Sequence, residues 1–235
     1  FLKGGPKGVE ALGETIGWPA VRGVLEVAAD RTSFARLQNL ADFTNERLLD
    51  YATAKSGETI PEEEACHLRR SALRILAVRR DAVAVNLVMA ELKSGSPEPF
   101  ATSYTIFLAA VDPSKKNQSQ LRELVEDGAL SPQVRAAAIL GYSLLAREEA
   151  IDFLGASLRD EEPVVRSQAA TLLSQLGYIH GKEGDARVLL KALRGREKST
   201  AVLEALEQAI VFLENRDTDE GRRFEFREWF YRQVK

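Results

Sequence analysis

The sequence predicts an all-α fold, an α-solenoid built from antiparallel helix pairs, and three observations predict it. Pro61, Pro97, Pro132 and Pro163 each open a stretch of helical periodicity, at separations of 36, 35 and 31 residues, the spacing of a helical repeat. Apolar residues recur in steps of three and four along most of the chain, and strand-like alternation is absent. Between Ser131 and Gly177 two segments superpose at an offset of 31, with Val134, Arg135, Ala138 and Leu145 falling on Val165, Arg166, Ala169 and Leu176. A helix pair of that length cannot cover its own apolar stripe, so each pair needs its neighbour.

Residues 1–17 read as a glycine-rich lead-in with one short helix carrying Val9, Leu12 and Ile16, because Gly4, Gly5, Gly8, Gly13 and Gly17 disfavour a longer one. The Gly4–Gly8 cluster lacks the spacing, the hydroxyl residue after lysine and the preceding strand of a phosphate loop. The solenoid is expected over residues 18–220. Val21, Leu25 and Ala28 form a first stripe from Trp18, and Phe34, Leu37, Ala41, Thr44, Leu48 and Tyr51 form a second. Ser56-Gly57 ends that helix. The next runs from Pro61 through Leu68, Ala72, Ile75 and Leu76, and its partner carries Val83, Leu87 and Leu92 up to Ser94-Gly95-Ser96. Further helices follow from Pro97, from Gln118 to Glu126, and from Pro132 and Pro163.

Proline suits the first helical turn, where its missing N–H has no intrahelical partner to lose. Glu62, Glu63 and Glu64 after Pro61, and Asp160, Glu161 and Glu162 before Pro163, place negative charge at the positive end of the helix dipole. Ser131 is the expected N-cap of the Pro132 helix.

The stretch Pro-x-Val-Arg-x-x-Ala, opening one helix, followed by a second helix ending in Leu158-Arg159-Asp160 and a restart at Pro163, resembles the HEAT-like repeat family. The resemblance is closest over residues 131–195 and extends over 61–130 with a shifted register at Pro61, where Leu68 takes the part of Val134. It implies a right-handed superhelix of about five to seven helix pairs, with second helices lining a concave surface. In that family an acidic residue ending one repeat braces the arginine six positions later, and Asp160 and Arg166 have this spacing. Ankyrin repeats have a shorter first helix than Val164–Leu176, and tetratricopeptide repeats need a Trp, Leu-Gly and Tyr pattern that no unit supplies.

The composition excludes several classes of function. A net charge of -3 argues against a protein whose main work is neutralising phosphates. One cysteine, Cys66, excludes an internal disulfide, and with two histidines no metal set is expected. Cys66 and His67 are adjacent in a helix and point about 100° apart, too far to share a proton. His180 is expected in a loop. Arg69, Arg70, Arg74, Arg79 and Arg80 read as a solvated face. The longest apolar run, Ile106–Val111, is far too short to span a bilayer. No catalytic residue and no cofactor is predicted.

Function is therefore expected on a surface. Residues 146–162 hold six acidic and two basic residues, whereas 185–198 hold five basic and two acidic. Aligning Ile151, Leu154 and Leu158 with Ala186, Leu189 and Leu193 turns Glu148, Glu149 and Asp152 outward on one second helix and Arg187, Lys191 and Arg194 outward on the next. These six are the predicted partner-binding residues, their charge reversal selecting a complementary protein. Residues 221–235 form an aromatic and basic segment in which Phe226, Trp229 and Phe230 are expected to cap the helix from about Ser199 to Glu214.

The expected function is a non-enzymatic scaffold or adaptor that binds a protein partner on the concave face lined by the second helices. The resemblance also implies two alternatives, a bilin-lyase-like ligand handler and a nucleic-acid binder akin to HEAT-like DNA glycosylases. The first has no specifying motif here, and the charge balance disfavours the second. The chain begins at Phe1, so a signal, anchor or further domain can precede it. A cytoplasmic location is expected without such a segment, and membrane association only through one.

Overall fold

The computed structural model describes residues 44–52, 69, 71–73, 75–77, 79–94, 100–216 and 219–232. The predicted lead-in, the helices from Trp18 and Phe34 up to residue 43, Pro61, the Glu62–Glu64 cluster, Cys66, His67, Leu68, Arg70, Arg74 and Pro97 lie outside the described residues. All regular structure among the described residues is helical. The chain divides into two compact units, Phe1–Ala90 and Glu91–Lys235.

In the first unit, α1 (Asn45–Ala52) buries Leu48 and Tyr51, as its stripe predicts. Helical residues between 69 and 79 bury Ala72, Leu73, Ile75 and Leu76. The helix α2 (Ala82–Lys93) opens at Asp81, whose carboxylate accepts the Ala84 N–H at 2.8 Å and the Asn45 side-chain amide at 2.5 Å. Its buried stripe is Ala84, Val88 and Leu92, not Val83, Leu87 and Leu92. The run Ala-Val-Ala-Val offers two stripes one residue apart, and the small Ala84 permits the closer approach. Arg69 also departs from expectation. It is 2 % exposed, so the arginine run is not a uniformly solvated face.

The second unit is a two-layer stack. First helices α3 (Phe100–Val111), α5 (Pro132–Ala146), α7 (Pro163–Ile179) and α9 (Thr200–Asn215) pack in succession, each on the next. Second helices α4 (Lys115–Glu126), α6 (Ala150–Ser157) and α8 (Glu183–Arg194) lie against them, with a 3₁₀ turn at Arg147–Glu149 before α6. A last helix, α10 (Glu220–Tyr231), packs on α7.

Sequence explains the stacking. Pro132 and Pro163 sit in the first turns of α5 and α7, and the Ser131 hydroxyl accepts the Val134 N–H at 3.3 Å. Val134, Ala138, Val165, Ala169 and Leu176 are fully buried, whereas Leu145 is half-buried. The pattern continues at an offset of 37, because Val165, Ala169, Leu173 and Leu176 correspond to the buried Val202, Leu206, Ile210 and Leu213 of α9. Each buried valine, leucine or isoleucine among them contributes about 1.5–3 kcal/mol. Close approach needs small residues at the crossings. A Cβ on Gly141 would lie 2.9 Å from the Thr105 carbonyl oxygen, and one on Gly177 would lie 2.8 Å from the Ala186 Cβ. Beside the first crossing, the fully buried Thr105 hydroxyl donates to the Ala137 carbonyl at 2.9 Å, joining α3 to α5.

Candidate functional site

The stack presents three surfaces. The first is the edge formed by the N-termini of the first helices and the turns that enter them. Arg135 and Arg166 occupy equivalent first-turn positions of α5 and α7. Arg135 donates to the Val125 carbonyl at 2.8 Å and pairs with the Asp160 carboxylate, so it ties the turn behind it to the turn ahead. Arg166 repeats the arrangement one unit on. It donates to the carbonyls of Asp160 and Glu161, each at 2.8 Å, and binds Glu197 through Nε at 2.7 Å and a second nitrogen at 2.9 Å.

This corrects the expected brace. The Asp160 carboxylate holds Arg135, not Arg166, and Arg166 meets residue 160 only at its backbone. The reason is geometric: one Asp160 oxygen is turned inward to the preceding unit, and the other accepts the Glu162 N–H at 3.0 Å. Arg166 and Glu197 are 14 % and 5 % exposed. The Arg166 guanidinium, helped by the N–H groups of Ser199 and Lys198, holds the Glu197 carboxyl down at about 2 against the cost of burial. In α9 the equivalent position is Leu203, and the ladder ends there.

The second surface is the outer face of α6 and α8, which carries the predicted binding residues. Glu148 and Glu149 lie in the 3₁₀ turn before α6, and Asp152 is exposed in its first turn. Glu149 accepts from Lys115 at 2.5 Å and Gln118 at 3.4 Å, which lowers its pKa, and Glu148 is 4.0 Å from Lys182. The basic residues sit further along the neighbouring helix. Lys191 donates to Glu214 at 2.9 Å and Arg194 to Glu207 at 2.9 Å, both on α9, while the half-buried Arg187 lies close enough to Glu214 to help lower its pKa after Lys191. The six residues thus form two groups, acid in the 3₁₀ turn and the first turn of α6 and base along α8 toward its C-terminus.

Within the basic group lie two exposed apolar residues that the sequence alignment concealed. Leu189 is 37 % exposed and Val188 68 % exposed, while Leu190 is fully buried. The α8 stripe is therefore Ala186, Leu190 and Leu193, and Leu190, not Leu189, corresponds to Leu154. The Leu189 methyl rests over Gly155 of α6, where a Cβ would lie 3.2 Å away.

The third surface is the opposite edge, where the first helices end. There α10 runs back across the stack. Phe226 packs on Tyr178 of α7 and Phe212 of α9, with ring centroids 5.5 Å from each. Arg216 lies 4.5 Å over Phe212 and 5.2 Å over Phe226, and Arg223 binds Glu183 at 2.6 Å beneath Tyr178. At the far end Tyr231 meets Arg147 at 5.1 Å and shares a 3.1 Å hydrogen bond with His180. Of the aromatics expected to act together, Phe226 and Phe230 are turned inward, and Trp229 is 55 % exposed. His180 is the C-cap of α7, and burial lowers its pKa.

Among the described residues no group of three or more histidine, cysteine or carboxylate side chains could hold a metal ion, and no helix is long and apolar enough to cross a membrane.

The paired helices, their arginine ladder and their small-residue crossings coincide with a family match: residues 119–210 fit the model for HEAT repeats. This segment is similar to HEAT repeats. Neither the curated proteins nor the solved structures include a match to the chain. HEAT repeats are typically protein-interaction scaffolds.

Proposed function

We propose that this protein is a non-enzymatic scaffold whose HEAT array binds a protein partner on the outer face of α6 and α8. One observation carries the reading: the exposed Val188 and Leu189 stand on α8 among Arg187, Lys191 and Arg194, and Leu189 rests over Gly155 of α6, the helix whose first turn carries the exposed Asp152. Apolar contact supplies affinity, and the flanking charges supply register. The ion pairs of Lys191 and Arg194 are about half exposed. Exposed pairs hold little energy, so carboxylates from a partner can replace Glu214 and Glu207 at small cost.

The test compares partner capture from the native source by the wild-type chain, by Arg187→Glu/Lys191→Glu and by Val188→Asp. A partner using this face is lost by both variants, at unchanged helicity and with binding weakened by raising salt from about 0.05 to 0.5 M. Equal capture by wild type and both variants overturns the assignment of the face.

A further inference from the structure

The ladder edge holds a second feature that the outer face does not explain. A cleft of about 480 Å³ opens between the turns at Leu158–Asp160 and Leu193–Lys198, lined also by Arg166. Its charged lining comprises Arg159, Arg166, Arg196 and Lys198 against Asp160 and Glu197. Both carboxylates are already committed, Asp160 to Arg135 and Glu197 to Arg166. Arg159, Arg196 and Lys198 are exposed and form no ion pair among the described residues. Three cations thus face one cleft without compensation.

The arrangement is repeated, because Arg159-Asp160 and Arg196-Glu197 stand 37 residues apart at equivalent turns. In each turn the acidic residue points inward to a ladder arginine, which leaves the preceding arginine at the cleft. The floor is apolar, made by Leu158 and Leu193.

We infer that this cleft is a binding site for an acidic peptide segment of a partner protein, one that places carboxylates between Arg159 and Arg196 and an apolar side chain on Leu158 and Leu193. Guanidinium groups match carboxylates with two parallel hydrogen bonds, a geometry lysine cannot reproduce. A nucleic-acid backbone is disfavoured, since it needs a continuous basic track. Here Glu161 and Glu162 follow directly on one lip and the chain as a whole is acidic. The site lies on the edge of the stack, apart from Val188 and Leu189, and stands whether or not the outer face binds a partner.

The experiment is fluorescence anisotropy of the full chain with a labelled peptide of alternating leucine and glutamate, its leucine and glutamine counterpart, and a single-stranded DNA oligonucleotide. The glutamate peptide is expected to bind at least about tenfold more tightly than the glutamine peptide, the scale of one charge-assisted pair. Arg159→Ala/Arg196→Ala should abolish that preference, and Arg159→Lys/Arg196→Lys should restore only part of it. Lys116→Glu/Lys182→Glu, on the opposite edge, changes net charge and should leave the preference intact. Equal binding of the two peptides overturns the inference, as does a preference that survives Arg159→Ala/Arg196→Ala. DNA binding tighter than the glutamate peptide, and lost in the same variant, overturns it in favour of a nucleic-acid site.

Discussion

The two edges of the stack are both fastened by arginines, but by different physics. At the ladder edge Arg135 and Arg166 bind backbone carbonyls that precede them in the chain and carboxylates of the next unit's turn. At the opposite edge Arg147, Arg216 and Arg223 lie over the aromatic rings of Tyr231, Phe212, Phe226 and Tyr178, with Arg223 paired to Glu183 as well. Carboxylate pairing is directional and titrates with acid, whereas ring contact is broad and relies mainly on burial. The ladder can therefore be repeated from unit to unit with short sequence signals. The aromatic edge depends on one helix, α10, returning from the end of the array.

Removing a ladder arginine should show the largest effect. Arg166→Ala leaves Glu197 buried without its cation and frees two backbone carbonyls, so urea denaturation should report a loss of about 3–4 kcal/mol. The two rungs also separate in double-mutant cycles. Asp160 should couple strongly to Arg135 and weakly to Arg166, because only the first pair joins side chain to side chain; strong coupling of Asp160 with Arg166 would contradict the observed pairing.

At the aromatic edge, Phe226→Ala removes a half-buried ring touching Tyr178, Phe212 and Trp229, with an expected cost of about 2 kcal/mol. Trp229 emission should shift before global helicity falls, since α10 is released first. Unchanged emission would mean that the edge does not rest on Phe226.

Acid should distinguish the edges by pH window. The Glu197 pKa lies at about 2, below its ordinary 4.5, so the unfolded chain takes up the proton first. The stability of that rung is complete above about pH 4.5 and is lost as pH falls toward 2, by roughly 1–3 kcal/mol. His180 is depressed by burial and further by Arg227 and Arg147, against the opposing pull of Glu148. Its neutral ring therefore contributes stability above the ordinary histidine value of 6.5 that is lost as pH falls below it. Trp229 emission should respond in mild acid and global unfolding only at lower pH. A single coincident transition would refute two independently titrating edges.

Gly181→Ala should cost about 1–2 kcal/mol, because φ is +69° and a Cβ would sit 3.0 Å from an Arg223 nitrogen. The smallest effect belongs to the outer face. Lys191→Ala breaks only an exposed pair and should change thermal stability by less than about 0.5 kcal/mol.

The local pattern explains why parts of this were legible and others were not. Proline at the first turn, Ser131 at the cap and the Val-Arg-x-x-Ala spacing each act within a few residues, so α5 and α7 could be placed from the sequence. Where apolar residues are contiguous, as in Val188-Leu189-Leu190 or Ala82–Val85, two stripes satisfy the same period. Packing chooses between them by how closely the neighbouring helix approaches. Leu190 and Ala84 were hidden for that reason. Arg69 reads as surface because an arginine's burial depends on partners that sequence distance does not reveal.

The sequence by itself determined that the chain is helical, that its units repeat and where α5 and α7 begin, since those properties follow from backbone hydrogen bonding and apolar period. Tertiary structure alone decided that Asp160 reaches back to Arg135, that Arg166 reaches forward to Glu197, and that Arg159, Arg196 and Lys198 are left facing one cleft. Pairing between residues 25 or 31 positions apart is settled by the stacking of whole helices, which brings turns together at distances no local rule specifies.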